Sequence, residues 1–512
     1  MRLKDLLHGV PVDAVEGSLD IDVRQVRDDS RAVEPGDLFV ALPGQTVDGH
    51  DFLRMAAQRG AVAAIVEHAV GSDIFPGTRV VVASARLALA EAASLWYGEP
   101  SRTLRMVGIT GTNGKTTTTY LVESMLRAGG RKVGVIGTVN YRYGDVVKPA
   151  NFTTPTALEL HAVLAEMLAA GCTHVVMEAS SHALALDRLA GVRFRVGAFT
   201  NLTQDHLDFH GSMDAYFHAK ARLMRSLLAP QDGVGVVLLD GEYGKRMATA
   251  VVGERLVLSV HNDGADVFAK RATSTIAGTE AELSSPLGVL RVRSRLVGEY
   301  NLANIIVAVG VALALGIDVA AMERGIAELR GVPGRLEPVD EAEARGFSVL
   351  VDYAHTHDAL ENVLAALRPL TKGRLLCVFG CGGDRDRTKR PRMGKVVARD
   401  ADLAIVTSDN PRTEEPGFII GQILDGVREV GTPQLGGASA LAASHKGYWV
   451  EPDRRAAIEA AIAAAQQGDV VLIAGKGHED YQIIGKTKHP FDDRAVARAA
   501  IARLPVPAGG AS

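Results

Sequence analysis

The stretch RMVGITGTNGKTTTTYLVESMLRA (Arg105–Ala128) contains the three elements that decide the fold. An apolar run (Arg105–Thr110) leads into a glycine-containing loop (Gly111–Lys115) and then into a helix-like segment (Thr116–Ala128). A strand, a turn and a helix in this order are typical of a parallel α/β sheet. The loop also offers backbone N–H groups, a lysine charge and a hydroxyl for Mg²⁺, which together suit a phosphate. We therefore predict a nucleotide-phosphate site in this loop.

The same alternation recurs along the chain and predicts parallel sheets covered on both faces. Further predicted strands are Thr173–Met177, Val196–Thr200, Val234–Leu239, Arg374–Phe379, Leu403–Thr407 and Val470–Ala474. A chain of 512 residues exceeds the roughly 250–300 residues that one hydrophobic core serves. With linkers expected near residues 98–100 and 331–334, we predict a smaller N-terminal α/β domain (1–102), a central domain with a P-loop-type parallel sheet (103–334) and a C-terminal Rossmann-like α/β domain (335–512).

Composition excludes several classes of protein. The net charge of −4 offers no basic excess for nucleic acid. The N-terminus lacks the apolar core of a signal peptide, and the most apolar stretch, Ile305–Leu315, is far shorter than the ~20 residues of a membrane span. Three cysteines, Cys172, Cys377 and Cys381, indicate a reducing compartment rather than a disulfide framework. We expect a cytoplasmic monomer with no nucleic-acid or membrane partner.

A carboxylate at the end of a predicted strand suggests a metal site. Glu178 ends an apolar run, and the carboxyl ends of parallel strands commonly face the ligand crevice. Mg²⁺ prefers a few hard oxygens together with substrate phosphates, so Glu178 and the Thr116 hydroxyl would make a first site. For Glu178 the alternative is a surface glutamate at the end of a strand. For the loop the alternative is a plain helix-capping turn, because Ile109 stands five positions before Gly114, where strict Walker spacing has glycine.

GTNGKT resembles the phosphate loop of the Mur ligases and folylpolyglutamate synthetases, whose short form is GTxGKT. The resemblance continues, in the family's order, through MEASSHAL (177–184), NLTQDHLD (201–208), GEYNLAN (298–304), PGRLE (333–337), DYAH (352–355), GCGGDR (380–385), DNPR (409–412) and GKGHE (475–479). On these motifs the chain is identified as a member of the Mur ligase family. The resemblance implies an ATP- and Mg²⁺-dependent, amide-forming ligase of peptidoglycan synthesis.

The resemblance also implies roles for individual residues. ATP-binding positions are Gly111, Thr112, Asn113, Gly114, Lys115, Thr116, Thr117, Asn301, Asn304, Arg335 and Asp352. Metal ligands are Thr116, Glu178, His206 and Lys220, the last as a carbamate (N6-carboxylysine) formed with CO₂. Lys115, His206 and Lys220 are the implied catalytic residues. Without the family context, Lys220 would read as a solvated charge on a helix, and Asn301 as a helix cap.

Two substrate sites follow from the same resemblance. Positions for UDP-N-acetylmuramoyl-L-alanyl-D-glutamate are Ser30, Gln45, Thr46, Thr153, Thr154, Ser180 and Arg188. Positions for meso-diaminopimelate are Arg385, Asp409, Asn410, Arg412, Gly475 and Glu479. DNPR resembles the diaminopimelate-adding branch of the family, and Arg and Asn suit a second carboxylate and ammonium. Two positions depart from the family pattern: Leu186 stands where a close relative has Gln, and His357 stands where the Pro of the family's usual TPDAL is expected.

Three alternatives remain open at this point. The lysine-adding branch shares most of the motifs but differs at DNPR. A folylpolyglutamate synthetase shares the phosphate loop but should lack both DNPR and a uridine-binding first domain. A catalytically silent nucleotide-binding scaffold has no reason to keep Lys115, Glu178, His206 and Lys220. For the ligase, the resemblance implies phosphorylation of the D-glutamyl carboxylate to an acyl phosphate, followed by attack of the diaminopimelate amine.

Overall fold

The computed structural model describes residues 1–44 and 47–505. The predicted uridine-site residues Gln45 and Thr46 lie outside the described residues. The strands are β1 (Ala14–Glu16), β2 (Val26–Arg27), β3 (Leu38–Val40), β4 (Ala63–Val66), β5 (Thr78–Val81), β6 (Arg105–Thr110), β7 (Val133–Ile136), β8 (Asn140–Tyr143), β9 (Val146–Pro149), β10 (His174–Glu178), β11 (Phe194–Phe199), β12 (Val234–Leu238), β13 (Glu254–Ser259), β14 (Val267–Thr275), β15 (Gly278–Ser285), β16 (Gly288–Ser294), β17 (Glu337–Pro338), β18 (Ser348–Asp352), β19 (Leu375–Phe379), β20 (Leu403–Val406), β21 (Gly447–Val450), β22 (Val470–Ala474), β23 (Tyr481–Ile484) and β24 (Thr487–Pro490).

The α-helices follow the strands in the alternation that the sequence predicts. They are α1 (Leu3–Leu6), α2 (Leu53–Gln58), α3 (Ala85–Trp96), α4 (Lys115–Ala128), α5 (Ala157–Ala169), α6 (Ser181–Ala185), α7 (Leu207–His210), α8 (Met213–Arg225), α9 (Glu242–Ala250), α10 (Glu299–Ala314), α11 (Val319–Glu328), α12 (His357–Leu367), α13 (Lys389–Asp400), α14 (Pro416–Glu429), α15 (Ala438–Ala443), α16 (Arg454–Ala464) and α17 (Asp493–Arg503). The predicted strands agree with these bounds to within two residues.

The chain forms two compact units. The first contains Met1–Phe268 and Ile306–Gly325, and the second contains Ala269–Ile305 and Ile326–Ser512. The α/β fold class is confirmed, with a separate five-stranded sheet, ordered β1-β5-β4-β3-β2, in the N-terminal part of the first unit. The three predicted domain boundaries stay a prediction.

The larger sheet of the first unit is built around β6. From β13 onward its strand order is β13-β12-β11-β6-β10-β7-β8-β9, and the strands from β13 to β7 are parallel. Ile109 pairs with Glu178 of β10, and Thr110 pairs with Phe199 of β11. The carboxyl ends of β10, β6 and β11 therefore lie side by side, and the phosphate loop leaves the sheet between its two neighbours.

The second unit places several polar turns along one sheet edge. Its sheet is ordered β17-β18-β22-β19-β20-β21, and the strands from β18 to β21 are parallel. The turns that follow β18, β22, β19 and β20 therefore emerge at neighbouring carboxyl ends. They carry the DYAH, GKGHE, GCGGDR and DNPR motifs. Thr356 caps α12 by accepting the N–H of Ala359 (3.2 Å), so this helix keeps a regular start despite the departure at His357.

A fully buried ion pair supports this sheet. Arg454 at the start of α16 donates to both Asp493 carboxylate oxygens (2.8 and 2.7 Å) and to the Ala474 carbonyl at the end of β22 (2.9 Å). Both side chains are 0% exposed. Removing one partner would leave a buried charge without its counterion, which is the costly way to disrupt such a pair.

We expect Arg454→Ala to lower the free energy of unfolding of the second unit by about 3–5 kcal/mol, because Asp493 stays buried and unpaired. Urea unfolding followed by Trp449 fluorescence, in a Trp96→Phe background, measures this change. The control is Arg503→Ala, which removes an exposed pair with Glu459 and should cost at most about 1 kcal/mol. Equal losses in the two variants would contradict the prediction.

Candidate functional site

The phosphate loop is held open by hydrogen bonds from the segment that follows β11. Gly111 has φ +151°, and a Cβ there would lie 1.9 Å from Thr200 Oγ1, so only glycine fits. The Asn201 side chain accepts the Asn113 N–H (3.0 Å) and donates to the Asn113 carbonyl (3.2 Å). Thr200 Oγ1 donates to the same carbonyl (2.6 Å). These hydrogen bonds thus brace the loop in its curved form.

Two lysines converge on the loop from its inner side. Lys115 Nζ donates to the carbonyls of Gly111 (2.9 Å) and Thr112 (2.8 Å), and Lys220 Nζ on α8 donates to the Gly111 carbonyl (2.7 Å). Lys220 is 1% exposed, and its Nζ lies 4.5 Å from the centre of the Tyr216 ring. Burial lowers the pKa of Lys220 well below its usual range, and the neighbouring Lys115 charge adds to this effect. The Lys220 ammonium group therefore loses its proton more easily than that of a solvated lysine.

Glu178 is a buried carboxylate whose oxygens face hydroxyl groups. Thr116 Oγ1 donates to it at 3.0 and 3.1 Å, and Thr138 donates through its N–H (2.8 Å) and its Oγ1 (3.0 Å). Glu178 is 1% exposed. The hydroxyl and carboxylate oxygens that the sequence predicts as Mg²⁺ ligands are thus in direct contact, and they are the hard donors that this ion prefers.

Four predicted substrate residues form one hydrogen-bonded cluster. Thr154 Oγ1 donates to the Glu178 carbonyl (2.7 Å) and accepts the Ser180 N–H (3.0 Å), and Arg188 Nη1 donates to the Thr154 carbonyl (3.1 Å). Thr153 reaches the same cluster through a hydroxyl contact with Thr138 (3.0 Å). The predicted muramoyl-peptide residues are therefore linked to Glu178, through its backbone carbonyl and through Thr138.

The fifth described member of this substrate set lies in the N-terminal sheet region. Ser30 is buried at the start of a 3₁₀ helix (Ser30–Ala32), and its Oγ contacts the Met55 sulfur at 3.5 Å. Asp29 caps that helix through the Arg31 N–H. The uridine role of Ser30 stays a prediction.

Three histidines cluster beside Tyr216, whose hydroxyl contacts Thr112 of the loop (3.2 Å). The His182 ring centre lies 4.8 Å from that of His206 and 5.6 Å from that of His210. Burial, with added repulsion from His206, lowers the pKa of His182 to about 4, so this ring is neutral near pH 7. His206 has φ +52° and a half-exposed side chain, which leaves its ring accessible.

In the second unit, Asp352 organises the turns around Arg335. Its Oδ2 accepts the Leu336 N–H (2.7 Å), its Oδ1 accepts the Ala354 N–H (2.8 Å), and the Arg335 guanidinium lies 4.6 Å from the centre of the Tyr353 ring. Burial raises the pKa of Asp352, while Arg335 opposes this shift. Asn301 and Asn304 are buried and bonded to each other (3.1 Å). Their direct contacts with a nucleotide stay a prediction.

Two glycines bring the PGRLE and GKGHE turns into backbone contact. Gly334 (φ +65°) and Gly477 (φ +53°) both have left-handed conformations. A Cβ on Gly334 would lie 2.1 Å from the His478 nitrogen, and a Cβ on Gly477 would lie 2.9 Å from the Gly334 carbonyl oxygen. No side chain fits between the two turns.

The predicted diaminopimelate residues gather around the carboxyl ends of β20 and β22. Asp409 and Asn410 are buried, and a Cβ on Gly475 would lie 2.6 Å from Asp409 Oδ2. Asn410 Nδ2 donates to Glu479 Oε2 (2.8 Å). Arg412 has φ +51° and donates to the Gly383 carbonyl (2.8 Å), which joins the DNPR turn to the GCGGDR turn.

Arg385 is the outlying member of this set. Its side chain is exposed and donates to the carbonyl of its own neighbour, Asp384 (3.3 Å). It belongs to the same turn as Gly383, and its contact with a ligand stays a prediction.

Sequence reasoning missed several residues that shape these sites. Asn201 and Thr138 brace the phosphate loop and Glu178, and Lys476 lies inside the amino-acid cluster. Asn201 follows the end of β11 closely, so its position beside a predicted strand was a usable signal. Lys476 lies within the GKGHE motif, but a lysine in a turn is usually exposed to solvent, so nothing in the sequence singles it out.

Among residues 1–44 and 47–505, no group of three or more His, Cys, Asp or Glu side chains is placed to hold a metal ion by itself. Within the same residues, no helix has the length and apolarity that crossing a membrane requires.

Three family models match the chain in succession. They are described as "Mur ligase family, catalytic domain" (residues 22–97), "Mur ligase middle domain" (109–312) and "Mur ligase, glutamate ligase domain" (334–477). The chain is 47% identical over 510 residues to the UDP-N-acetylmuramoyl-L-alanyl-D-glutamate–2,6-diaminopimelate ligase of Geobacter metallireducens, covering 98% of this chain and 99% of that relative. The relative of the same name from Geobacillus thermodenitrificans is 42% identical over 508 residues, with coverage of 98% and 99%.

Solved structures agree with these relatives. A UDP-N-acetylmuramoyl-L-alanyl-D-glutamate–2,6-diaminopimelate ligase structure matches with a TM-score of 0.70 and 33% identity, covering 98% of this chain and 99% of that one. The folylpolyglutamate synthase of Mycobacterium tuberculosis, complexed with ADP and AMPPCP, matches with a TM-score of 0.61 and 18% identity over 82% of this chain and 96% of that one. The second likeness concerns the fold alone.

Proposed function

The chain belongs to the Mur ligase family, and on this premise we propose that it joins meso-2,6-diaminopimelate to the D-glutamate of UDP-N-acetylmuramoyl-L-alanyl-D-glutamate, using ATP. Relatives at 42–47% identity over nearly the whole chain carry this name. The observation that carries the proposal is the cluster of Asn410, Arg412 and Glu479, which offers donors for a carboxylate and an acceptor for an ammonium in one place. We further propose a cytoplasmic, monomeric enzyme of peptidoglycan synthesis.

Activation of the D-glutamyl carboxylate rests on the first unit. The γ-phosphate of ATP is transferred to that carboxylate, and an acyl phosphate and ADP form. Phosphoryl transfer needs positioning and charge neutralisation more than covalent help from the protein. The braced loop supplies N–H groups, and Lys115 supplies the charge once it exchanges its two loop carbonyls for phosphate oxygens. Arg188 and Thr154, beside Glu178, would orient the glutamyl end.

Mg²⁺ fits the donor set of this loop. Thr116 and Glu178 would hold one ion together with ATP phosphates, and His206 with a Lys220 carbamate would hold a second. Bound Mg²⁺ would neutralise phosphate charge during the transfer. An amine reacts with CO₂ in its neutral form. Burial lowers the pKa of Lys220 and so makes that form easier to reach, which supports the carbamate. No covalent link between substrate and protein is required.

Amide formation completes the reaction. The diaminopimelate amine attacks the acyl carbon, the C–N bond forms, and phosphate leaves as the amine gives up its proton. The second carboxylate and ammonium of diaminopimelate are the groups that Arg412, Asn410 and Glu479 can recognise. L-lysine has the same chain length but lacks the distal carboxylate, so it would leave the Arg412 guanidinium without an anion.

Two alternative functions, a folylpolyglutamate synthetase and a silent scaffold, account for fewer of these features. A folylpolyglutamate synthetase shares the fold, but it is expected to lack DNPR and the uridine-binding first domain. A silent scaffold does not explain why Lys220 is buried against the phosphate loop. A direct assay separates all of them: phosphate release with the muramoyl dipeptide nucleotide and either meso-diaminopimelate or L-lysine.

We expect Lys115→Ala to lower turnover by roughly 100-fold or more, because the transferred phosphoryl group loses its nearest cation. ADP formation measures turnover, and titration calorimetry should show that the dipeptide nucleotide still binds. Lys132→Ala, an exposed lysine of the same unit, is the control and should match the parent. Parent-like ADP formation by Lys115→Ala would refute the assignment.

We expect Lys220→Ala to be nearly inactive and to regain part of its activity with a short added carboxylate, because the carboxylate replaces the missing anion. ¹³C NMR with ¹³CO₂ should show a carbamate signal in the parent that is absent in the variant. Lys245→Ala on the exposed face of α9 is the control. A free Lys220 ammonium in an active, metal-loaded crystal would rule the carbamate out.

We expect Arg412→Ala to raise the KM for meso-diaminopimelate roughly 10- to 100-fold, because this is the usual effect on affinity of losing a hydrogen bond to a charged group. The advantage over L-lysine should narrow, and the KM for ATP should stay unchanged. Arg392→Ala, on an exposed position of α13, provides the control. An unchanged preference in Arg412→Ala, or a parent that uses L-lysine equally well, would count against this pocket.

A further inference from the structure

Lys476 is a completely buried cation for which the proposed reaction gives no role. It lies in the GKGHE turn after β22 and is 0% exposed. Its Nζ donates to Asn410 Oδ1 (3.2 Å) and to Glu479 Oε2 (3.1 Å). Burying an ammonium group is costly unless it is paired and hydrogen-bonded, and both of its partners belong to the proposed diaminopimelate pocket.

Three hydrogen bonds fix the orientation of the Asn410 side-chain amide. Its Oδ1 accepts from Lys476 and from the Ile483 N–H (2.9 Å), while its Nδ2 donates to Glu479 Oε2 (2.8 Å). The flipped amide would place its NH₂ group against two donors, so only one orientation satisfies both contacts. Within the described part of the chain, the second side-chain N–H of Asn410 and Oε1 of Glu479 make no hydrogen bond.

The hairpin that carries Ile483 fixes Arg412 as well. The Arg412 N–H donates to the Ile483 carbonyl (3.1 Å), and the Gly485 N–H donates to the Arg412 carbonyl (2.7 Å). Gln482 Nε2 donates to the Asp409 carbonyl (2.6 Å). Strand β23 thus pairs with the DNPR turn, and Lys476 contacts both members of the hydrogen-bonded pair Asn410 and Glu479.

We propose that Lys476 is a positioning residue for diaminopimelate. By binding Asn410 Oδ1 and Glu479 Oε2, it leaves an Asn410 N–H to donate to a ligand carboxylate and Glu479 Oε1 to accept from a ligand ammonium. The pocket therefore binds the amino acid in one orientation. The proposal rests on the proposed function, because it concerns the same pocket. Lys476 acts through its two neighbours. Its removal would release one acceptor site on Asn410 and leave Glu479 without its cation.

The test is Lys476→Met, which keeps length and apolar bulk but removes the charge. We expect the KM for meso-diaminopimelate to rise roughly 10- to 100-fold, since hydrogen bonds to a charged group are lost. At saturating amino acid, kcat should stay within about twofold, and the KM values for ATP and the dipeptide nucleotide should not change. The preference over L-lysine should narrow, which a purely structural role would not produce.

Lys446→Met is the control, at an exposed lysine of the same unit. The Lys446 ammonium group makes two hydrogen bonds as well, but to the backbone carbonyls of Arg399 (3.1 Å) and Ala401 (2.6 Å), at the amino ends of β20 and β21 and so at the opposite edge of the sheet. This variant should keep the parent KM for diaminopimelate and the parent preference.

A double-mutant comparison with Glu479→Gln tests whether Lys476 acts through that carboxylate. In the Glu479→Gln background, Lys476→Met should raise the KM by less than about threefold, because neighbouring groups that act together are not additive. Additive effects would overturn the proposal. So would a folded Lys476→Met with a parent-like KM for diaminopimelate, or a parallel rise in the KM for ATP. If Lys476→Met does not fold, Lys476→Gln is judged by the same thresholds, and a parent inactive with diaminopimelate would instead refute the proposed function.

Discussion

The alignment of parallel strand ends is the constraint on which the candidate sites depend. Because β10, β6 and β11 are hydrogen-bonded neighbours in the same direction, the Glu178 carboxylate, the Gly111 turn and the Asn201 amide must emerge side by side. A carboxylate at the end of an isolated strand would be solvated. Here it is 1% exposed and satisfied by Thr116 and Thr138. The sheet thus brings together residues that are about 90 positions apart in sequence.

The second unit uses the same rule for a different ligand chemistry. Strand β22 lies between β18 and β19, so the GKGHE turn is flanked by the DYAH and GCGGDR turns although it follows them by about 90–120 residues. The first unit presents lysines, hydroxyl groups and a carboxylate, which suit phosphate and a hard cation. The second presents a guanidinium, an amide and a carboxylate, which suit an amino acid. In each set, members such as Glu178 and Asn410 lie at or shortly after the end of a strand.

Much of the fold and part of the site could be predicted from sequence. The strand before the phosphate loop was predicted with its observed bounds, and helix α4 begins one residue earlier than predicted. Motif residues that follow strands, such as Glu178 and Asn410, could be placed because strand ends have a fixed relation to the sheet edge. Lys476 could not, since its burial depends on Asn410, 66 residues away. Likewise, the contact of Lys220 with Gly111 depends on how α8 packs against the loop, and no local pattern specifies this.

The contact between Gly334 and Gly477 has a consequence for how this chain can change. Two turns that touch through bare backbone leave no side chain whose size one turn could adjust to suit the other. Neither glycine can be exchanged while its partner waits for a compensating mutation, because a methyl group on either one meets main-chain atoms that cannot be shortened. Both positions are therefore restricted to glycine by the main chain itself, and redesign of the side chains elsewhere in either turn cannot lift that restriction.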